Sequence, residues 1–237
     1  MTWTLVTGGA KGVGRSICCI LARAGYSIVV HYNTSKEQAL DVASECRGYG
    51  VQAEIVQGSF STPASTKEMM QRYLSQFGDT KNLINNVGNF PIVKALETDP
   101  EIALELFHTN VHAPFMLIQA LSSSIKAHQG SIINIGTSGL HSFRANESAP
   151  VYTMTKMALW SLTKSLAKEF APFCVRVNMV SPGQLTNSIN LPQDCSRLPM
   201  KRPGTPEEVA RVVSFLLDEN TSYITGQNIE VAGGFNL

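Results

Sequence analysis

The chain has 237 residues, 43% of them hydrophobic, and a formal charge of +1. That is enough apolar material for one large domain, and the near-neutral balance gives no pull toward nucleic acid or an anionic membrane surface. No apolar stretch reaches membrane-spanning length, no secretory leader is predicted, and five cysteines without metal-type spacing read as reduced thiols of a cytoplasmic protein.

Along the chain, a β-rich run at 3–6 leads into Thr7-Gly8-Gly9-Ala10-Lys11-Gly12-Val13-Gly14. A helical pattern over 13–24 follows, with Val13, Ile17, Ile20, Leu21 and Ala24 on one face. Glycines here let the backbone turn sharply and let a pyrophosphate approach a helix N-terminus. Gly8, Lys11, Gly12, Val13 and Gly14 are therefore candidate contacts for a dinucleotide. The second predicted strand, 27–32, runs into His31-Tyr32-Asn33-Thr34-Ser35-Lys36, with no carboxylate before Glu37. An acidic residue at this place suits a free ribose 2′-hydroxyl. Hydroxyls, an amide and bases suit a 2′-phosphate, so His31, Tyr32, Asn33, Thr34 and Ser35, with the cation of Lys11, predict NADP(H) over NAD(H). Thr34 or Ser35 is also suited to cap a following helix.

A strand at 51–56 and a helix at 65–77 come next, then a strand at 82–85 and a helical run at 104–125. Pro114 lies in that run, four residues after Asn110. Proline has no N–H to donate, so the Asn110 carbonyl loses its helical partner and a kink is predicted. His108 and His112 share a helix face, but no third-ligand segment accompanies them and no metal is expected. After a strand at 131–135, a helix at 151–170 begins behind Pro150 and sets Tyr152 and Lys156 one turn apart on one face. A phenol beside a fixed ammonium gives up its proton more easily. A strand at 175–180, a long proline-bearing loop at 186–203, a helix at 206–217 capped by Thr205, and a strand at 228–231 complete the chain. The alternation predicts a single α/β domain over 1–237, with a doubly wound, seven-stranded, mostly parallel sheet and helices on both faces.

In its motifs the chain resembles the short-chain dehydrogenase/reductase family, with a Rossmann fold, over essentially its whole length. In order they are T-G-x-x-x-G-x-G from Thr7 to Gly14, Asn85-Asn86-Val87-Gly88, Asn110 in Thr109-Asn110-Val111, Tyr152-x-x-x-Lys156, Pro182-Gly183, Tyr223-Ile224-Thr225-Gly226-Gln227 and Gly233-Gly234. The resemblance implies that Tyr152 protonates a carbonyl oxygen as hydride arrives from the nicotinamide. Lys156 would lower the phenol's pKa and hold the nicotinamide ribose, and Asn110 would hold a relay water. It adds Asn86, Val87, Gly88, Pro182, Gly183, Leu185 and Asn187 to the dinucleotide contacts. It also implies a homotetramer, or a homodimer, with Leu159, Trp160 and Leu166 supplying an apolar patch.

The chain departs from the family pattern at three places. The catalytic hydroxyl falls on Thr137, with Ser138 beside it, and either hydroxyl suits donation to a substrate oxygen. Ser59 stands where the family often has an acidic residue holding the adenine, and Asn187 where a threonine is usual. Two subfamilies compete for the substrate, bound beneath a loop at about 184–203. The 3-oxoacyl-[acyl-carrier-protein] reductases share the length and the Y-I-T-G-Q…G-G ending. Pteridine reductases share His31-Tyr32-x-x-Ser35 and Tyr152-Thr153-Met154-x-Lys156. A hydroxyl at 137 favours a 3-oxoacyl thioester, although Pro172-Phe173-Cys174 lacks the arginine commonly used to grip an acidic carrier. A non-catalytic NADP(H)-binding sensor or scaffold is the alternative of another class; it would be expected to lack Tyr152, Lys156 or Asn110.

Overall fold

Successive side chains of a strand point to opposite faces of its sheet, and here both faces are covered. The structure, a computed structural model, describes residues 1–142 and 145–236. Among them seven strands form one sheet: β1 (Trp3–Val6), β2 (Ser27–Tyr32), β3 (Ala53–Gln57), β4 (Thr80–Asn85), β5 (Ser131–Ile135), β6 (Arg176–Pro182) and β7 (Asn228–Val231). Every neighbouring pair is parallel. The helices are α1 (Gly12–Arg23), α2 (Lys36–Gly48), α3 (Pro63–Phe77), α4 (Pro100–Phe107), α5 (Ala113–Ala127), α6 (Pro150–Phe170) and α7 (Pro206–Leu217). Val6, Val30, Ile84, Ile133 and Val180 pack into one core with α1, α2 and α7. Leu5, Val29, Leu83, Ile132 and Val177 pack into the other with α3, α5 and α6. Strands buried on both faces read as unbroken apolar runs, which is why they stand out in the sequence.

The strand order is β3-β2-β1-β4-β5-β6-β7. It reverses between β1 and β4, and in such sheets the crevice outside the carboxyl ends of the strands receives ligand. β1, β2, β5, β7 and α7 occupy their predicted ranges. β3 starts two residues later than expected, β4 two residues earlier, and β6 extends to Pro182. The run 104–125 is two helices joined by a π turn, His108–His112, in which the Ala113 N–H bonds the His108 carbonyl. The wider turn accommodates the missing proline donor without a bare break. Two residues expected on an oligomer surface lie elsewhere: Leu159 and Leu166 are 1% and 6% exposed and belong to the chain's own core. No helix among the described residues is long and apolar enough to cross a membrane.

The loop after β6 is pinned at its base. Leu185 and Gly204 form a parallel bridge, with Thr186 N–H bonding Gly204 O and Gly204 N–H bonding Gln184 O, both at 2.9 Å. Buried Leu198 anchors its far limb after a 3₁₀ turn at Cys195–Arg197. α7 then starts with a capping box: Glu208 N–H donates to Thr205 Oγ1 (3.2 Å) and Thr205 N–H to Glu208 Oε2 (2.8 Å). Arg202 grips the same carboxylate at 2.7 and 2.9 Å and holds it down to about 2. From α7, Glu207 accepts a 2.7 Å bond from Ser16 of α1, tying the helix to the one that rises from the glycine turn. Thr205→Ala should therefore lower stability by about 1 kcal/mol, with Thr205→Ser close to wild type, in urea denaturation.

Candidate active site

The glycine turn lies at the carboxyl end of β1. Gly12 takes φ +53°, and a Cβ at Gly14 would lie 2.1 Å from Gly8 O, so the turn closes only without side chains. Thr7 fastens it across the point where the strand order reverses. Its hydroxyl donates to Ile84 O (3.2 Å) and accepts the N–H groups of Asn86 (2.8 Å) and Val87 (3.1 Å). The Asn86 side chain returns a bond to Thr7 O at 2.9 Å. Asn86, Val87 and the turn are thus one hydrogen-bonded unit. Asn187, from the loop after β6, leans over Gly12: a Cβ there would meet Asn187 Nδ2 at 2.9 Å.

His31 does something other than expected. Its Nδ1 accepts the Gly8 N–H at 3.0 Å, so the ring proton sits on Nε2, which donates to Gly58 O at 3.1 Å. The ring stacks on Phe60 with centroids 4.5 Å apart, and burial pushes it down to about 4. Both nitrogens are spent inside the protein, so His31 braces the turn against β3 instead of presenting a base to a phosphate. Tyr32 is buried, whereas Asn33 and Thr34 are exposed and Ser35 is half-buried. Ser35 is the N-cap residue of α2, yet its hydroxyl makes no cap bond. Exposed Lys11 precedes α1. Ser59 lies just past β3, its Oγ 3.0 Å from that of Ser61.

The other half of the site is built on β5 and α6. Lys156 is fully desolvated inside the protein and donates to Ile135 O at 2.8 Å, fixing α6 to the carboxyl end of β5. Thr137 follows two residues on and lines the same cavity as the Tyr152 phenol. Ser138 points elsewhere: it is 8% exposed and receives Asn236 Nδ2 at 3.4 Å. Asn110 is fully buried. Its Oδ1 accepts the Asn89 N–H (2.9 Å), and its Nδ2 donates to Asn89 O (3.1 Å) and Thr155 Oγ1 (3.0 Å). A Cβ at Gly88 would meet Lys156 Nζ at 3.2 Å and Asn110 Oδ1 at 3.3 Å, so these groups lie together. Behind them a buried chain runs from Asn85 Nδ2 to Asn134 Oδ1 (2.8 Å) and from Asn134 Nδ2 to Thr163 Oγ1 (2.9 Å), linking β4, β5 and α6.

Desolvation dominates the electrostatics. Burial pushes the Tyr152 phenol up to about 12, with the Thr137 hydroxyl pulling it down, and pushes the Lys156 ammonium down to about 8. Lys156 Nζ is 5.7 Å from the Tyr152 ring centroid. The protein's own groups therefore hold the phenol protonated at neutral pH, opposite in direction to the lowering expected from the Tyr–Lys spacing, because burial disfavours the charged form of each group.

Val13, Asn86, Gly88, Thr137, Ser138, Tyr152, Lys156, Pro182, Gly183, Leu185 and Asn187 line one cavity of about 720 Å³. Several of its walls are not apparent from the sequence motifs. Phe90 meets the Tyr152 ring edge-on, centroids 4.6 Å apart. Asn146 reaches the cavity and donates to Thr153 Oγ1 at 2.8 Å. Gln184, Ile189 and Phe235 also line the wall. All stand in loops, where no periodicity marks which side chain turns inward. Thr155, beside Lys156, was signalled only by its place inside Y-x-x-x-K.

A family model described as "Enoyl-(Acyl carrier protein) reductase" matches residues 8–236. The chain is 33% identical to the 3-oxoacyl-[acyl-carrier-protein] reductase FabG of Staphylococcus epidermidis, over 98% of each chain. Among solved structures, it superposes on a blue fluorescent protein from a metagenomic library in complex with NADPH with a TM-score of 0.89, at 30% identity, covering 100% of this chain and 98% of that one. It also superposes on the landomycin C-6 ketoreductase LanV with bound NADP and rabelomycin, with a TM-score of 0.89 and 29% identity, covering 99% and 96% of the two chains.

Burying a charged Lys156 costs stability at neutral pH. Between about 8, its pKa in the fold, and 10.5, its ordinary value, the unfolded chain keeps a proton that the folded chain has released, so wild-type stability rises with pH. Lys156→Met should stabilise the fold by up to about 3 kcal/mol at about pH 7. That advantage should fade by about pH 10, as read from urea unfolding at the two pH values.

Proposed function

The chain belongs to the short-chain dehydrogenase/reductase family of oxidoreductases, and from that premise we propose that it uses NADPH to reduce the carbonyl of a 3-oxoacyl thioester to an alcohol. The observation that carries the reading is the gathering of Thr137, Tyr152 and Lys156 on the wall of one cavity, with Lys156 Nζ 5.7 Å from the Tyr152 ring centroid. The names of the curated relatives support the substrate class, and the NADPH and NADP held by structural neighbours support the cofactor.

The residues present suit a dinucleotide. The glycine turn has no room for a side chain at Gly14 and opens at the N-terminus of α1, where backbone N–H groups favour a pyrophosphate. Asn33, Thr34, Ser35 and Lys11 remain the donors for a 2′-phosphate, without His31. Gly88, Pro182, Gly183, Leu185 and Asn187 form the wall leading from that turn to Tyr152. Bound there, the dinucleotide supplies the hydride. Thr137 Oγ1 then donates a hydrogen bond to the substrate oxygen and orients the carbonyl over Tyr152, which gives that oxygen its proton. Lys156 stabilises the phenolate left behind and is the residue placed to hold the nicotinamide ribose. The Asn110 side chain holds the Asn89 segment in position, while its backbone carbonyl is the proposed seat of a relay water.

A homotetramer, or homodimer, fits the α4–α6 face, where Leu104, Phe107, Val111, Phe115 and Leu162 line an apolar hollow of about 470 Å³ and Leu104 is 71% exposed. If that face joins copies of the chain, Leu104→Glu should shift the mass found by light scattering toward the monomer. The cytoplasm is the setting that suits five free thiols.

The deciding assay follows NADPH and NADH oxidation with acetoacetyl thioesters, other ketones and dihydrobiopterin. NADPH should be preferred and the thioester reduced. Tyr152→Phe should lose about 10²–10⁴-fold in kcat, and Thr137→Ala about 10²–10³-fold, with Ser138→Ala near wild type. A preference for NADH refutes the cofactor assignment, and turnover of the pterin but not the thioester refutes the substrate class. Tight NADPH binding without turnover of any carbonyl would instead make the chain a sensor.

A further inference from the structure

α1 and α2 meet along a ladder of side-chain contacts. One turn of α1 before Cys19, Arg15 donates to Glu45 Oε2 at 2.7 Å. One turn after it, Arg23 donates to Tyr49 Oη at 2.6 Å and lies 4.8 Å over its ring. On α2 these partners flank Cys46, and Tyr49 closes the ladder by donating to Glu45 Oε1 at 3.2 Å. The register therefore sets Cys19 opposite Cys46, within one apolar cluster, where Cys19 is 6% exposed and Cys46 fully buried. Neighbouring Cys18 turns away, its thiol donating to Gly9 O at 3.8 Å.

We propose that Cys19 and Cys46 form a reversible disulfide that ties α1 to α2 when the protein meets a peroxide. The two thiols differ in the way such a step requires. Cys19 is held below the ordinary thiol range, first by neighbouring Cys46, with Arg15 assisting, whereas Cys46 is pushed up by Cys19 and by burial. Cys19, nearer the surface, is the attacking sulfur. It takes one peroxide oxygen as the O–O bond breaks, and the departing hydroxide leaves as water with the Cys19 proton. Cys46 then attacks the sulfenic sulfur, and its proton leaves with the sulfenic oxygen as a second water. One S–S bond forms, two thiols are oxidised, and one peroxide is reduced to two waters. The bond encloses β2 and the 33–35 segment in a covalent loop, which restricts the unfolded chain.

The test treats the full-length protein with hydrogen peroxide, alkylates the remaining thiols under denaturing conditions and maps the peptides by mass spectrometry. The expected result is a Cys19–Cys46 linked peptide lighter by two hydrogens, alkylated Cys174 and Cys195, and recovery of both thiols with dithiothreitol. The linked form should unfold at higher urea than the reduced form. Cys19→Ser and Cys19→Ala should each leave Cys46 alkylatable. The proposal is overturned if both thiols are still alkylated after peroxide, if Cys19 runs to sulfinic acid without a link, if Cys18 supplies the bridge, or if the linked form is no more stable. The wild-type map needs no variant, so a poorly folding substitution leaves the test intact.

Discussion

The site is organised around an ammonium taken out of water. Lys156 has a protein carbonyl, Ile135 O, at 2.8 Å, and that bond determines where α6 begins relative to the end of β5. With the helix held there, Tyr152 one turn earlier shares a cavity wall with Thr137, two residues past the strand. The Asn85–Asn134–Thr163 chain serves the same register from within the core, because buried amides must find partners and these find one another across three elements. A buried cation is a burden on the fold, and the same burial that depresses Lys156 also raises Tyr152. The site thus stores a protonated phenol near a buried ammonium, the pair on which the proposed proton transfer rests.

The cofactor half works by different means. Its surfaces are mostly backbone, because a pyrophosphate has to come close to N–H groups and side chains would stand in the way. The side chains that do matter there act behind the turn. Thr7 and Asn86 bridge the two strands at the reversal of strand order, and His31 stands between Gly8 and Gly58 as a neutral brace. A histidine at the end of β2 suggests ligand chemistry by residue type alone, yet once both ring nitrogens are matched within the protein it becomes architecture.

In the proposed reading, reaction chemistry and substrate choice fall to different parts of the molecule. Tyr152, Thr137 and Lys156 stand on a strand end and a helix, held by core packing. The walls around them, Phe90, Asn146, Gln184, Ile189 and Phe235, come from segments outside the named strands and helices. Proteins similar to this chain carry names as different as 3-oxoacyl-[acyl-carrier-protein] reductase and landomycin C-6 ketoreductase.

Much of this was legible in the sequence. Apolar runs bounded by turns marked β1, β2 and β5 because strands buried on both faces tolerate little else. Proline at helix starts, the Thr205 cap and the four-residue spacing of Tyr152 and Lys156 are local rules, readable without knowing what lies nearby. Choices that depend on distant partners were not legible. The motif favoured Thr137 while leaving Ser138 open, and only the fold pairs the Ser138 hydroxyl with Asn236. Pro114 signalled a disturbed helix, while neighbouring packing decided that it would be a π turn. Leu159 and Leu166 had the spacing of a surface patch and belong to the core, since periodicity tells which residues share a face but not what that face meets. The sequence by itself determined the layered fold and the chemical pair. Tertiary structure alone decided the protonation of that pair and the fate of His31, because desolvation and hydrogen-bond matching are properties of the packed environment.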